Sequence, residues 1–294
     1  MIIAVAGKGG AGKTFVAASL ARLYSGHLGR AGKTYAIDAD PAGSLGAALG
    51  LTQGEIDGVK PIYDMHEFID AGEEDGALYL PDPGAGAGGG QYDADADGVR
   101  FLRMAGIKRA GSGCYCGEHG FLRALVGSML LGEKDVLIMD MGAGVEHLAR
   151  GTAKGADLLL IVSEASRACV DCSRVIQSLG SELGVGRIHI VANKIRSEKE
   201  EIFIRAGFRR GDLIGLIRMS EAAAENAMRA GSDSATRAGS DSATRAGAMA
   251  DNKERAGYAM PPGMKELFNN ILSINVHKNQ TNLNTRPPPK LTPI

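Results

Sequence analysis

Short apolar runs alternate with longer amphipathic segments along most of the chain. The apolar runs predict strands at residues 2–6, 34–38, 77–80, 135–140, 158–163, 188–193 and 213–217, with residues 101–104 as an edge strand. The amphipathic segments predict helices at residues 15–24, 44–49, 121–131, 168–183 and 198–205. Strands that are apolar throughout and separated by helices are typical of a parallel sheet that is covered on both faces. We therefore expect an α/β fold with a mostly parallel, twisted sheet and helices on both faces.

The pattern changes after Met219. Residues 230–237 are repeated without change as residues 238–245, and this polar unit lacks the apolar surface that would offset its ordering entropy. The chain therefore divides into four parts, which are a main domain at residues 1–228, a low-complexity insertion at 229–257, a helix that docks on the main domain at 258–276, and a disordered tail at 277–294.

A glycine-rich loop follows the first predicted strand. Residues 7–14 read Gly-Lys-Gly-Gly-Ala-Gly-Lys-Thr and fit the pattern G-x-x-x-x-G-K-[ST], between a strand and a helix as a phosphate-binding loop requires. In such a loop, backbone N–H groups surround a di- or triphosphate and the lysine, here Lys13, faces the outer phosphates. The threonine hydroxyl of such a loop, here that of Thr14, can ligate Mg²⁺. The motif predicts a P-loop nucleotide triphosphatase.

Carboxylates follow two of the predicted strands. Asp38 and Asp40 stand at the end of one strand, and Asp140 ends another that is followed by a glycine-containing turn at residues 141–144. The carboxyl ends of parallel strands are where open α/β sheets bind their ligands. An apolar strand ending in an acid is typical of a Walker B strand, and the turn after it is typical of a nucleotide-sensing switch.

The four cysteines form two close pairs. Cys114 and Cys116 are separated by one residue and surrounded by glycines, a composition that permits a tight chelating turn. Two thiolates make half of a four-coordinate site for Zn²⁺ or another soft or borderline metal, so two copies at a dimer axis would complete it. For Cys169 and Cys172, we favour buried core positions over a second metal or redox pair.

Composition argues against several classes of partner. The net charge is −1 and the sequence pI is about 6.6, which gives no support for a nucleic-acid-binding surface or an anionic-membrane anchor. No apolar run reaches membrane-spanning length, and the opening apolar run has no basic leader. We expect a soluble, cytoplasmic protein that binds neither nucleic acid nor membrane.

Lys8 adds a second lysine to the loop, which thereby resembles the deviant Walker A motif of the family containing MinD, ParA and the nitrogenase iron protein. The resemblance implies an ATPase that forms a homodimer on binding ATP, with Lys8 and Lys13 as catalytic residues and Lys8 reaching the partner's phosphates. It also implies that Asp40 activates water, that Asp38 and Asp140 join Thr14 around Mg²⁺, and that Asn193 hydrogen-bonds adenine. The nucleotide-binding residues are then Gly9, Gly10, Ala11, Gly12, Lys13, Thr14, Phe15 and Asn193.

The Cys-x-Cys segment and residues 140–148 narrow the resemblance to the CooC-type accessory ATPases, which insert nickel into carbon monoxide dehydrogenase. This resemblance implies that Cys114 and Cys116 bind Ni²⁺, or Zn²⁺, and that the client is carbon monoxide dehydrogenase or a related nickel enzyme. The sequence departs from the family pattern at Gly142, where an acidic residue usually stands, and at Ala42, where asparagine is common. The first departure affects the expected switch signalling rather than nucleotide binding.

Two alternative functions remain open at this point. A MinD- or ParA-like positioning or partitioning ATPase would need a basic membrane helix or a basic DNA-binding face, whereas this chain ends in a polar, proline-rich segment. An iron-sulfur scaffold or reductase of the nitrogenase-iron-protein type would need a second cluster cysteine shortly after the Walker B strand. No cysteine stands between Asp140 and Ser163.

Overall fold

The computed structural model describes residues 1–40, 43–62, 92–104, 132–143, 153–219 and 260–283, with side chains described as far as residue 274. One eight-stranded sheet runs through these residues, and its strands are β1 (Ile2–Gly7), β2 (Thr34–Asp38), β3 (Ala94–Ala96), β4 (Val99–Arg103), β5 (Val136–Asp140), β6 (Leu158–Ser163), β7 (Ile188–Ile195) and β8 (Leu213–Arg218). The spatial order is β3-β4-β2-β5-β1-β6-β7-β8. Every neighbouring pair is parallel except the β3–β4 pair. The predicted fold class is confirmed.

Helices cover both faces of this sheet. They are α1 (Lys13–Leu28), α2 (Leu45–Ala48), α3 (Gln53–Gly58), α4 (Arg167–Glu182), α5 (Glu198–Gly207) and α6 (Met264–Leu283). Successive side chains of a strand point to opposite faces, so β1 contributes to two cores. Ile3 and Val5 pack with α1 and α6, while Ala4 and Ala6 pack in the other core with Ile176 of α4.

The last helix, α6, packs against α1 and β8. Leu267 and Ile271 are fully buried there, and the ring of Phe268 meets the ring of Tyr24 edge-on at 4.9 Å between centroids. The predicted apolar side of this helix therefore faces the core. The helix continues to Leu283, past the predicted boundary at residue 276 and into the segment that the sequence predicts as a disordered tail.

The edge of the sheet differs from its prediction. Residues 101–104 were expected to form an edge strand, but β4 lies inside the sheet between β2 and β3. The strand at this edge of the sheet is β3. It pairs antiparallel with β4 through a tight turn in which Asp97 and Gly98 have positive φ angles of 54° and 80°. The prediction was wrong because β3 has the sequence Ala-Asp-Ala and so carries no apolar run.

Several predicted features lie outside the described residues. They are the strand at 77–80, the helix at 121–131, the repeats at 230–245, and the Cys114 and Cys116 pair. None of the helices within the described ranges is long and apolar enough to cross a bilayer.

Candidate nucleotide-binding site

The glycine-rich loop leaves the central strand β1 at its carboxyl end and leads into α1. On one side of β1 lies β5, and on the other lies β6, from which the chain continues to β7 and β8 at the far edge. After β1 the chain passes to β2 on one side, whereas after the adjacent strand β6 it passes to β7 on the other side, so a topological switch point lies at the carboxyl ends of β1 and β6. In open α/β sheets, ligands bind in the crevice at such a point.

Two positions of this loop require glycine because atoms of neighbouring strands approach them closely. A Cβ at Gly7 would lie 2.4 Å from the carbonyl oxygen of Val162 on β6, and a Cβ at Gly12 would lie 2.3 Å from the side-chain nitrogen of Asn193 on β7. Gly12 also has a positive φ of 91°. These contacts pack the loop directly onto the ends of two neighbouring strands, and no larger residue would fit without displacement.

The first turn of α1 is suited to an anion. Gly12 precedes the helix and offers no side chain to cap its first N–H groups, and the first turn of the helix contains no acidic residue. The N–H groups at a helix start and the positive end of the helix dipole together favour phosphate. Lys13 is 7% exposed and begins this helix, whereas Lys8 is exposed at the other end of the loop.

Two carboxylates face each other beside the loop. Asp38 and Asp140 are partners in the register of β2 and β5, and their exposed fractions are 3% and 1%. Asp38 accepts hydrogen bonds from the backbone N–H groups of Leu45, at 2.9 Å, and Asp40, at 3.2 Å. Burial raises the pKa of Asp38 to about 6, although these hydrogen bonds partly offset the effect. The predicted site residues Asp38, Asp40 and Asp140 thus lie together.

Asp140 has the more unusual environment. Neither of its carboxylate oxygens has a hydrogen-bond partner among the described residues. Burial raises its pKa to about 7, the nearby Thr14 hydroxyl lowers it, the charge of Asp38 raises it, and the charge of Lys13 lowers it. Orphaned buried polar atoms of a native protein call for an explanation, and a divalent cation supplies one.

Mg²⁺ fits the oxygen atoms gathered here. It prefers hard oxygen ligands and retains several waters, so two or three protein groups are sufficient. Asp38, Asp140 and Thr14 are the groups that would hold it, directly or through water. When bound, the ion would neutralise phosphate charge. The hydroxyl of Ser44 donates to the Thr14 hydroxyl at 3.2 Å, so Ser44 is a further residue of this site, one that no motif of the sequence indicated.

The end of β7 also reaches the loop. The side-chain amide of Asn193 is 4% exposed and donates to the carbonyl oxygen of Ala11 at 2.8 Å. Its predicted contact with adenine stays a prediction. The next residue, Lys194, donates to the carbonyl oxygen of Gly10 and forms an ion pair with Glu164, and neither residue was singled out as functional from the sequence.

The second cysteine pair lies on α4. Cys169 is 5% exposed, Cys172 is partly buried, and both thiols are free. Burial and the neighbouring Cys169 raise the pKa of Cys172, while Lys8 and Lys13 lower it. In the part of the chain that the structure describes, no third His, Cys, Asp or Glu joins this pair to form a metal cluster.

Residues 2–231 match the family described as the CobQ/CobB/MinD/ParA nucleotide binding domain. The chain belongs to this family. The carbon monoxide dehydrogenase accessory protein CooC of Rhodospirillum rubrum is 35% identical over 261 residues, which cover 87% of this chain and 98% of that protein. An uncharacterized ATP-binding protein of Methanocaldococcus jannaschii is 30% identical over 207 residues, covering 69% of this chain and 78% of that protein.

Membership of the MinD/ParA family confirms the predicted resemblance and makes the chain a P-loop ATPase, within the branch that includes CooC. The fold agrees. The cell division ATPase MinD of Pyrococcus furiosus superposes with a TM-score of 0.57 over 93% of this chain and 98% of that one. Their sequence identity is 20%, so this likeness concerns the fold alone.

Proposed function

We propose that this ATPase is a nickel metallochaperone that supports the maturation of carbon monoxide dehydrogenase or a related nickel enzyme. The observation that carries the proposal is the match to CooC, because it extends over 98% of that protein rather than over the nucleotide-binding core alone. The described site supplies the ATPase half of the function. The client enzyme is proposed because this relative is a carbon monoxide dehydrogenase accessory protein, and the metal is proposed from the Cys-x-Cys pair.

ATP is proposed to close a homodimer, with Lys8 acting across the interface. Lys8 is exposed, and its side chain makes no hydrogen bond or ion pair with any described residue, so it is available to a second copy. Lys13, in contrast, is buried against its own site. A cation supplied by the partner would stabilise charge on the transferring phosphoryl group, as an arginine finger does. In this scheme, Asp40 orients or deprotonates the attacking water.

Ni²⁺ is the proposed cargo, held by Cys114 and Cys116 from each of two copies. Four thiolates would complete a coordination sphere that one copy supplies only in part. If ATP and metal both favour the closed dimer, each increases the affinity for the other by the same factor. Hydrolysis would then open the dimer and release the metal to the client enzyme.

Metal counting tests the cargo. We expect purified protein to bind about one Ni²⁺ per dimer, more tightly with a non-hydrolysable ATP analogue, because that stoichiometry follows from the two-copy site. Cys114→Ser and Cys116→Ser should abolish this binding. Cys172→Ser is the matched control and should retain it. Binding that survives Cys114→Ser, or that is lost in Cys172→Ser instead, would contradict the proposed metal site.

A single substitution tests the role of Lys8. Lys8→Ala should still bind ATP, because the loop and Lys13 are intact, but it should remain monomeric and lose hydrolysis by about 10³-fold, the lower value for a missing arginine finger. Sedimentation with the ATP analogue and phosphate release measure the two effects. Lys199→Ala, an exposed lysine on α5, is the control. Normal hydrolysis by Lys8→Ala would refute a role across the interface.

A further inference from the structure

The backbone is unusual where β7 reaches the loop. Lys194 has a φ of 58°, and in the described ranges the other non-glycine residue with positive φ, Asp97, lies in a hairpin turn. The register of β7 against β8 is interrupted between Ala192 and Ile195. A bulge of this kind redirects a side chain, and strained backbone is concentrated at functional sites.

The irregularity has a definite geometric result. In a regular strand, successive side chains point to opposite faces. Here the side chains of Asn193 and Lys194 both contact the phosphate-binding loop. Asn193 donates to the carbonyl oxygen of Ala11 at 2.8 Å, and the ammonium of Lys194 donates to the carbonyl oxygen of Gly10 at 2.6 Å. Two consecutive loop carbonyls are therefore held by two consecutive residues of β7.

Glu164 holds the Lys194 ammonium from the other side. Its carboxylate oxygen lies 2.6 Å from the Lys194 nitrogen, and the two side chains are 33% and 39% exposed. Glu164 directly follows β6, which lies between β1 and β7. The three groups thus connect the ends of three neighbouring strands. The lysine charge is matched by the glutamate, so this contact adds little net charge to the phosphate site, unlike Lys13.

Holding these carbonyls orients the loop for an anion. A peptide group is planar and trans, so its N–H points away from its C=O. With the Ala11 carbonyl held toward β7, the N–H of Gly12 points the opposite way. The N–H of Ala11 belongs to the same peptide group as the Gly10 carbonyl and donates to the Lys8 carbonyl at 3.1 Å, so this peptide group is fixed at both of its polar atoms. Carbonyl oxygens would repel phosphate, so fixing them outside the cradle prepares it for the ligand.

We propose that Lys194 is a positioning residue for ATP binding. Oriented by Glu164, the Lys194 ammonium holds the Gly10 carbonyl away from the phosphates and so preorganises the phosphate-binding loop. The proposal goes beyond the metal function and rests only on ATP binding and hydrolysis by this chain. Lys194 acts through the loop backbone, and its own charge is occupied by Glu164.

The test compares four variants of the full chain. Lys194→Met removes the ammonium but keeps an unbranched side chain at the same backbone angle, Lys194→Arg keeps a cation, and Glu164→Gln removes the orienting charge. Arg205→Ala is the control, since it breaks the Arg205–Glu201 ion pair on the surface of α5. Each variant is measured for the Kd of a fluorescent MgATP analogue, for KM and kcat of hydrolysis, and for Tm without nucleotide.

We expect Lys194→Met to raise the Kd and KM for ATP about tenfold, the effect of one lost charge-assisted hydrogen bond after allowing for its partial exposure. Lys194→Arg should recover most of this loss, and Glu164→Gln should show a smaller loss in the same direction. The Tm values should match that of Arg205→Ala, because a purely structural role would lower Tm instead.

Unchanged Kd and KM in Lys194→Met would overturn the proposal, as would a rise that a fall in Tm accounts for. If Lys194→Met does not fold, Glu164→Gln decides the matter in the same way. None of these measurements involves nickel, so failure of the metal proposal would leave them unaffected.

Discussion

Gly12 and Gly10 offer a sharp test of how the phosphate-binding loop is held, because they have similar backbone angles but different space around them. Both have positive φ angles, 91° and 82°. A Cβ at Gly12 would meet the Asn193 nitrogen at 2.3 Å, whereas a Cβ at Gly10 would meet no atom of the described residues within 4 Å. Replacing each by alanine therefore adds the same backbone strain, and only Gly12→Ala adds a collision.

The expected magnitudes follow from these contacts. Alanine at positive φ costs roughly 1–2 kcal/mol, and this is the whole cost expected of Gly10→Ala. In Gly12→Ala the Asn193 side chain must also move, which breaks its bond to Ala11 and leaves buried polar groups unsatisfied, at a further cost of about 1–3 kcal/mol. Gly12→Ala should therefore be less stable than Gly10→Ala by about 2 kcal/mol, the middle of that range.

Urea unfolding without nucleotide measures both variants, together with Asn193→Ala and the double variant Gly12→Ala/Asn193→Ala. Because Asn193→Ala removes the atom that collides, the double variant should be destabilised by less than the sum of the two single variants, with a coupling of roughly 1–2 kcal/mol. Equal destabilisation of Gly10→Ala and Gly12→Ala, or strict additivity in the double variant, would show that the close approach to Asn193 is not what constrains the loop.

Two further predictions concern regions away from the loop. Leu267→Ala should destabilise the fold by about 2–5 kcal/mol, because Leu267 is fully buried between α6 and Gly215 of β8, whereas the exposed Lys265→Ala on the same helix should change stability by less than about 0.5 kcal/mol. Burial lowers the pKa of His189 in β7, so this imidazole takes up a proton more readily in the unfolded chain than in the folded one. The free energy of unfolding should therefore fall as the pH drops from the ordinary pKa of histidine toward the lowered one. Unfolding free energies at pH 5 to 8 should thus decline more toward acid in the native chain than in His189→Gln, and parallel curves would contradict this assignment.

The sheet could be predicted from the sequence because its central strands are buried on both faces. Apolar runs such as the one ending at Asp140 have no polar alternation and sit between helical segments, which leaves few other interpretations. Short elements without such runs were missed. β3 is three residues long, and α3 buries none of its residues. Yet α3 carries a local signal, since Thr52 and Glu55 form a capping box at its start.

Some residues of the site could be predicted from the position of the motifs, and others could not. Lys13, Thr14 and the carboxylates could be named because strand ends meet at one edge of a parallel sheet. The contact of Lys194 with Gly10 could not, because it depends on an irregularity in β7 that ordinary strand geometry does not contain. Ser44 was predicted only as a helix start, and its contact with Thr14 brings together residues that are 30 positions apart.

The buried carboxylates indicate how binding and folding are connected in this ATPase. Asp38 and Asp140 are register partners on the neighbouring strands β2 and β5. Burial raises the pKa of both, and the charge of Asp38 raises that of Asp140 further, so ionising both is unfavourable. Lys13 and the Thr14 hydroxyl offset this cost for Asp140 only in part. A divalent cation arriving with nucleotide would supply the missing charge and occupy the unpaired oxygens. Binding should therefore stabilise the fold at Asp140, whose carboxylate oxygens lack hydrogen-bond partners among the described residues, because a ligand that binds only the native state shifts unfolding by mass action.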